Sequence, residues 1–173
     1  MWLAATILFC IPIGDVANAK EIKVFALGAS NTNGKGVSAS QAWPAQLERM
    51  LRAKGYEATV TVDAINGDTS AGVLSRASRI PPGTQVVVFD TGGDNDKLRG
   101  MAGDTNANRD RIAGAIRSHG AVPIQAPYRK LIGPQRSGGA GYQPDGIHLT
   151  AASHEKVAAY LLSRVIAATK GAR

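Results

Sequence analysis

Gln85-Val86-Val87-Val88-Phe89, closed by Asp90-Thr91-Gly92-Gly93, is a nearly unbroken apolar run that stops at a glycine-rich turn. A strand that is apolar on both faces must be covered on both, the condition of a central strand in a parallel sheet. Working outward, Glu21 to Leu27 is a second short strand ending at Gly28, and the alternation of Ala58, Val60 and Val62 predicts a third that stops at Asn66-Gly67. Ala121 to Gln125 supplies a fourth after the turn at Gly120. Helical spacing lies between them. Trp43, Leu47, Met50 and Leu51 recur as one face with Gly55 closing the helix. A helix from Ser70 to Ile80 breaks at Pro81-Pro82-Gly83, another runs from Thr105 to His119, and a last one from Thr150 to Thr169 presents Val157, Leu161, Leu162 and Val165. Strand and helix alternate, so the expected architecture is an open parallel sheet wrapped by helices with right-handed crossovers.

The chain has 173 residues, 44% hydrophobic and 19% charged, which suits one globular domain with a sizeable core. Residues 1–19 depart from that average. Trp2 to Ile13 is an apolar stretch of signal-peptide length, and Ala17-Asn18-Ala19 before Lys20 reads as a cleavage site, although no Lys or Arg precedes the apolar run. The expectation is a signal peptide over 1–19, a mature domain over 20–173, and a periplasmic or secreted location. The apolar run is too short for a stable membrane span. Cleavage removes Cys10, the only cysteine, so no disulfide is expected; it also removes Asp15, adding one unit to a net charge of +7. So basic an exported domain should adsorb to anionic lipid or glycan surfaces. No nucleic acid partner is expected, because the bases are scattered and aromatics amount to 5% of the chain.

In a parallel sheet, ligands bind beyond the carboxyl ends of the strands. The turns holding Gly28-Ala29-Ser30, Asn66-Gly67-Asp68-Thr69-Ser70 and Gly93-Asp94-Asn95-Asp96 all fall there, and Asp145-Gly146-Ile147-His148 follows downstream. A serine hydroxyl becomes a useful nucleophile when a histidine takes its proton and an acid orients that histidine. Ser30, His148 and Asp145 would supply those roles, and a spacing of three lets Asp145 and His148 share one side of a turn. Each fragment alone also has an ordinary reading: Ser30 as a cap, Gly-Asp-Asn-Asp as a turn, His148 as the neighbour of an N-cap at Thr150. His119 is expected to end a helix, His154 to be a solvated helix position, and Asp94 and Asp96 to solvate a loop. No histidine and carboxylate spacing suggests zinc, so no metal and no cofactor are expected.

These four blocks resemble those of the SGNH hydrolases, also called GDSL esterases and lipases, with Ser30, Gly67, Asn95 and the Asp145/His148 pair at the matching positions. The similarity is nearest to exported bacterial acyl thioesterases and lysophospholipases, which also carry a Trp-Pro pair like Trp43-Pro44, a Gly-Asp-Thr-Ser run like Gly67 to Ser70 and a Leu-Arg-Gly run like Leu98 to Gly100. The resemblance covers Lys23 to Val165. It implies a flavodoxin-like three-layer α/β/α fold and an acyl-enzyme on Ser30, with His148 as base and then acid. The oxyanion would be held by the Ser30 and Gly67 N–H groups and the Asn95 amide, and the substrate would be a small or medium acyl ester or thioester. Two positions depart from the pattern. Ala29 stands where the family has an aspartate, and only Arg129 to Pro144 separate the Pro123-Ile124 strand from Asp145, so a parallel sheet of four to five strands is expected, four if the last edge is trimmed.

Three other patterns fit the sequence less well or belong to another class. Gly28 to Lys35 misses a phosphate-binding loop by one residue and has Gly36 where a hydroxyl should stand. Thr32 replaces the second glycine of the α/β-hydrolase elbow. A non-catalytic envelope protein that keeps the scaffold and binds an anionic glycan or lipid is the competitor from another class.

Overall fold

A computed structural model describes residues 19–135 and 139–171. The segment read as a signal peptide lies outside the described residues except for Ala19, as do residues 136–138. Four strands, β1 (Glu21–Gly28), β2 (Glu57–Ala64), β3 (Val86–Phe89) and β4 (Val122–Gln125), form one sheet in the order β2-β1-β3-β4, every neighbouring pair parallel. The helices are α1 (Ser30–Asn33), α2 (Trp43–Ala53), α3 (Ser70–Arg76), α4 (Gly93–Leu98), α5 (Thr105–Ser118), α6 (Tyr128–Ile132) and α7 (Ala151–Gly171). This is the three-layer α/β/α arrangement, with the four strands allowed by the short stretch before Asp145.

Side chains of a strand alternate between faces, so the central strands feed two cores. Ile22, Val24 and Ala26 of β1, with Val86 and Val88 of β3, pack under Trp43, Leu47 and Leu51 of α2 and Val157, Leu161 and Val165 of α7. Phe25, Leu27, Val87 and Phe89 point the other way, against Val73 of α3 and Ile112 and Ile116 of α5. That double coverage explains the unbroken run at Val86–Phe89. The outer strands are less demanding. β2 leaves Val62 exposed, and β4 accommodates Pro123, whose missing N–H is harmless on a strand paired on one side only.

The expected elements appear with shifted ends. The helix expected over Ser70 to Ile80 is α-helical to Arg76 and then tightens into a 3₁₀ turn, Ala77–Arg79, before Pro81. Three short helices were not expected. α1 follows the β1 turn directly, α6 follows β4, and Gly93–Leu98, read as a loop, is the helix α4. Its first turn carries Asp94 and Asp96, whose charge favours a helix N-terminus.

Two side chains sit otherwise than expected. His154 is fully buried rather than solvated: its Nδ1 accepts the Trp43 N–H at 3.2 Å, its Nε2 has no partner among the described residues, and burial lowers its pKa to about 4. Asp96 is 1% exposed and accepts from the Ser70 N–H at 2.9 Å and the Thr105 hydroxyl at 2.7 Å. Burial would raise its pKa, and these bonds outweigh that and hold it below the ordinary carboxylate value. It fastens the first turns of α3 and α5 instead of solvating a loop. Asp94 is exposed beside Lys97, and His119 closes α5, both as expected.

Candidate active site

β1 ends at Gly28, and the chain turns through Ala29 so that Ser30 is the first residue of α1. A Cβ on Gly28 would collide with Thr32 and with the side chain of Asp90, so the turn needs glycine there. As the first residue of a helix, Ser30 has an N–H without an intrahelical acceptor. Beneath it, the buried Arg76 guanidinium donates to the Gly28 carbonyl at 2.9 Å and the Asp63 carbonyl at 2.7 Å, and pairs with the carboxylates of Asp63 and Asp68, each at 2.6 Å. One side chain thereby ties together the ends of β1 and β2 and the turn after β2.

The histidine comes from the turn between Tyr142 and Thr150. Gly146 takes φ +67°, and the Gln143 and His148 backbones bond at 2.7 Å across the turn. Within it, Asp145 Oδ1 accepts from the Ile147 and His148 N–H groups at 2.9 and 3.0 Å, and Oδ2 lies 2.5 Å from His148 Nδ1. The His148 backbone bond is the leading cause, followed by the imidazole and then the Ile147 N–H, of a carboxyl pKa lowered to about 2. Asp145 is therefore a carboxylate at neutral pH, although its side chain is 43% exposed. His148 Nε2 in turn lies 3.1 Å from Ser30 Oγ. Ser30, His148 and Asp145 are thus in hydrogen-bonding sequence, and Thr150 caps α7 through the Ser153 N–H as well, so capping and the histidine contact coexist in one turn.

Ser30 opens onto a cavity of about 80 Å³ lined also by Asn31, Asp90, Asp94, Asn95, Tyr128 and Arg129. Asn95 is held there by donating to the Asp68 carbonyl at 2.8 Å, which leaves one amide hydrogen free of that bond. Gly92 makes this approach possible: it has φ +68°, and a Cβ would strike the Asp68 carbonyl. Gly67, with φ +76°, lies in the same turn as Asp68 but outside the lining of this cavity, and its carbonyl accepts from Arg99 at 3.0 Å. The structure brings together four of the five expected residues and sets Gly67 one residue away from the carbonyl that holds Asn95.

Several residues here had not been singled out. Asp90 reaches the cavity wall, where burial raises its pKa. The Tyr128 hydroxyl accepts the Trp43 indole N–H at 2.8 Å and lies 3.1 Å from Thr32 Oγ1; burial raises its pKa well above 10. Asn31 and Gln143 bond across to the opposite turn. Aspartate at the end of a buried strand and asparagine next to a candidate nucleophile were the available signals.

Residues 26–140 match the model of the GDSL-like lipase/acylhydrolase family. Esterase TesA of Pseudomonas aeruginosa is 37% identical over 111 residues, covering 60% of this chain and 55% of TesA. Arylesterase of Vibrio mimicus is 28% identical over 129 residues, 73% of this chain and 63% of that protein. The chain therefore spans somewhat over half the length of these relatives. A crystal structure of TesA has a TM-score of 0.68 at 26% identity, over 87% of this chain and 99% of the other. A carbohydrate acetylesterase family member from Sinorhizobium meliloti has a TM-score of 0.65 at 19% identity, over 86% and 99%, a likeness of fold alone.

Proposed function

The chain belongs to the GDSL-like lipase/acylhydrolase family, and we propose that it is an exported serine esterase acting on a small acyl ester or thioester through Ser30, His148 and Asp145. The observation that carries this reading is the hydrogen-bonded series from Asp145 Oδ2 to His148 Nδ1 at 2.5 Å and from His148 Nε2 to Ser30 Oγ at 3.1 Å, opening onto a cavity. His148 takes the Ser30 proton as Oγ attacks the acyl carbonyl, then delivers it to the departing alcohol or thiol. Water attacks the acyl-Ser30 with His148 again as base, and the carboxylic acid leaves. The Asp145 carboxylate accepts from Nδ1–H, fixes the tautomer that faces Ser30 and steadies the imidazolium.

Negative charge on the carbonyl oxygen is met by the Ser30 N–H and the Asn95 amide, the two expected donors that line the cavity. Such donors act on charge that develops only in the transition state. A short acyl group suits a cavity of about 80 Å³ whose wall is shared between the polar Asp90, Asp94, Asn95 and Arg129 and the more apolar Ala29, Tyr142 and Ile147; a long chain would forgo about 0.8 kcal/mol for each CH₂ left unburied. Export is supported by the leader-like sequence of residues 1–19. Among the described residues no helix is long and apolar enough to cross a membrane.

The test is hydrolysis of p-nitrophenyl esters from acetate to octanoate by purified protein, with fluorophosphonate labelling. The expected result is turnover highest for the shortest acyl groups, with labelling and turnover lost in Ser30→Ala and turnover lost in His148→Ala while the fold persists. Wild-type inactivity without labelling would refute the esterase and favour a scaffold that binds an anionic glycan or lipid.

A further inference from the structure

Ser30 and His148 are 118 residues apart and lie on two separate turns, so their 3.1 Å contact depends on whatever holds those turns in register. We infer that Asn31 and Gln143 form a reciprocal amide clasp that sets this separation, which makes both of them positioning residues; the inference rests on the serine-hydrolase reading of the triad. Asn31 follows the nucleophile and is 5% exposed. Its Nδ2 donates to the Ile147 carbonyl at 3.2 Å, and its Oδ1 accepts the Leu149 N–H at 2.9 Å. These two groups flank His148. A carbonyl and the N–H two residues on are what a strand presents to its neighbour, so the Asn31 side chain docks on the histidine turn as a single peptide unit of a strand would.

Gln143 does the same from the other side. Its Nε2 donates to the Lys35 carbonyl, in the loop after α1, at 2.9 Å and to the Leu149 carbonyl at 2.8 Å. Its own N–H donates to the His148 carbonyl at 2.7 Å. Gly36 is what admits this amide: a Cβ there would overlap the Gln143 side chain, and φ at Gly36 is +85°. Each turn therefore extends one amide onto the backbone of the other. Sliding the histidine turn along the nucleophile turn, or rotating it, breaks bonds at both ends of the clasp. The hydrogen bonds of the two side chains go to backbone groups around His148 and at Lys35 rather than to Ser30 Oγ or the imidazole, and their effect passes through the placement of His148.

The test compares Asn31→Ala, Gln143→Ala and the double variant with wild type in three measurements: kcat and KM on p-nitrophenyl acetate, thermal melting, and the low-field proton resonance of the His148–Asp145 bond. A displacement of about 1 Å at the reacting atoms costs on the order of 10²-fold in rate. Asn31→Ala is expected to lower kcat by about that factor with KM within about twofold, and the double variant to fall well short of the product of the two single losses because both act on one separation. A lower melting temperature with kcat and KM of the folded enzyme unchanged would overturn the clasp and leave the pair as structural bonds only. If Asn31→Ala does not fold, Gln143→Ala, which leaves both Asn31 bonds in place, carries the same test. Wild-type protein that neither turns over esters nor takes the fluorophosphonate would defeat the hydrolase reading instead. The clasp is then judged on the imidazole proton, whose shift or broadening in the variants supports it and whose persistence overturns it.

Discussion

Acidification should destabilise this protein through a histidine that takes no part in the proposed chemistry. His154 is fully buried and neutral, with Nδ1 accepting from the Trp43 N–H and Nε2 facing no partner among the described residues, and its pKa falls from 6.5 to about 4. The unfolded chain takes up this proton near pH 6.5 and the folded one near pH 4, so between those values the unfolded state binds more protons and stability must drop as pH falls. The contribution is complete above pH 6.5, declines through the window and is gone below about pH 4. The whole shift corresponds to about 3 kcal/mol, of which about 2 kcal/mol falls between pH 7.5 and 5. Other groups shift as well, among them Asp90, whose carboxyl pKa is raised by burial and acts with the opposite sign. The informative quantity is therefore a difference between two proteins. His154→Gln keeps an acceptor for the Trp43 N–H and cannot titrate. Urea unfolding of both proteins at pH 7.5 and pH 5 should show wild type losing about 2 kcal/mol more than the variant, or about 4 to 8 °C in thermal midpoint for a domain of this size. Parallel losses in the two proteins would refute the assignment.

Asp145→Asn should leave the turn folded but favour the wrong imidazole tautomer, lowering kcat by about 10⁴-fold in ester-hydrolysis kinetics. Asn95→Ala removes one oxyanion donor and should cost about 10² to 10³ in kcat with little change in KM. Arg76→Met leaves Asp63 and Asp68 without their shared guanidinium and the Gly28 carbonyl without its donor, and urea titration should show a loss of about 3 to 5 kcal/mol. Gly92→Ala forces a Cβ against the Asp68 carbonyl at positive φ, and should reduce both stability and turnover, because the same contact carries Asn95.

Much of the architecture was legible because hydrophobic periodicity is a local signal. Val86–Phe89 had to be central, and the placement of Ser30 and Asn95 followed from the ends of β1 and β3. The short stretch between Arg129 and Pro144 left four or five strands open, and the sheet holds four. Short helices such as α4 and α6 were not legible, because one or two turns carry too few residues to show a period. His154 was misread although the signal was present: it stands three residues before Val157 on the stripe that continues through Leu161 and Val165, so it faces the core. Asp96 was misread for a different reason, since an aspartate in a Gly-Asp-Asn-Asp run is ordinarily solvated, and the Ser70 and Thr105 groups that bury it lie 26 and 9 residues away.

Local pattern thus settled which segments pair, which faces are covered and which residue types could do acyl chemistry, because each depends on neighbours within a few positions. The relative placement of the nucleophile and histidine turns was decided by folding, since hydrogen bonds spanning more than a hundred residues have no trace in local spacing. Asn31, Gln143 and Arg76 look like ordinary polar residues along the chain. Their partners are backbone groups, which every residue supplies, and backbone groups become specific only when the fold has placed them.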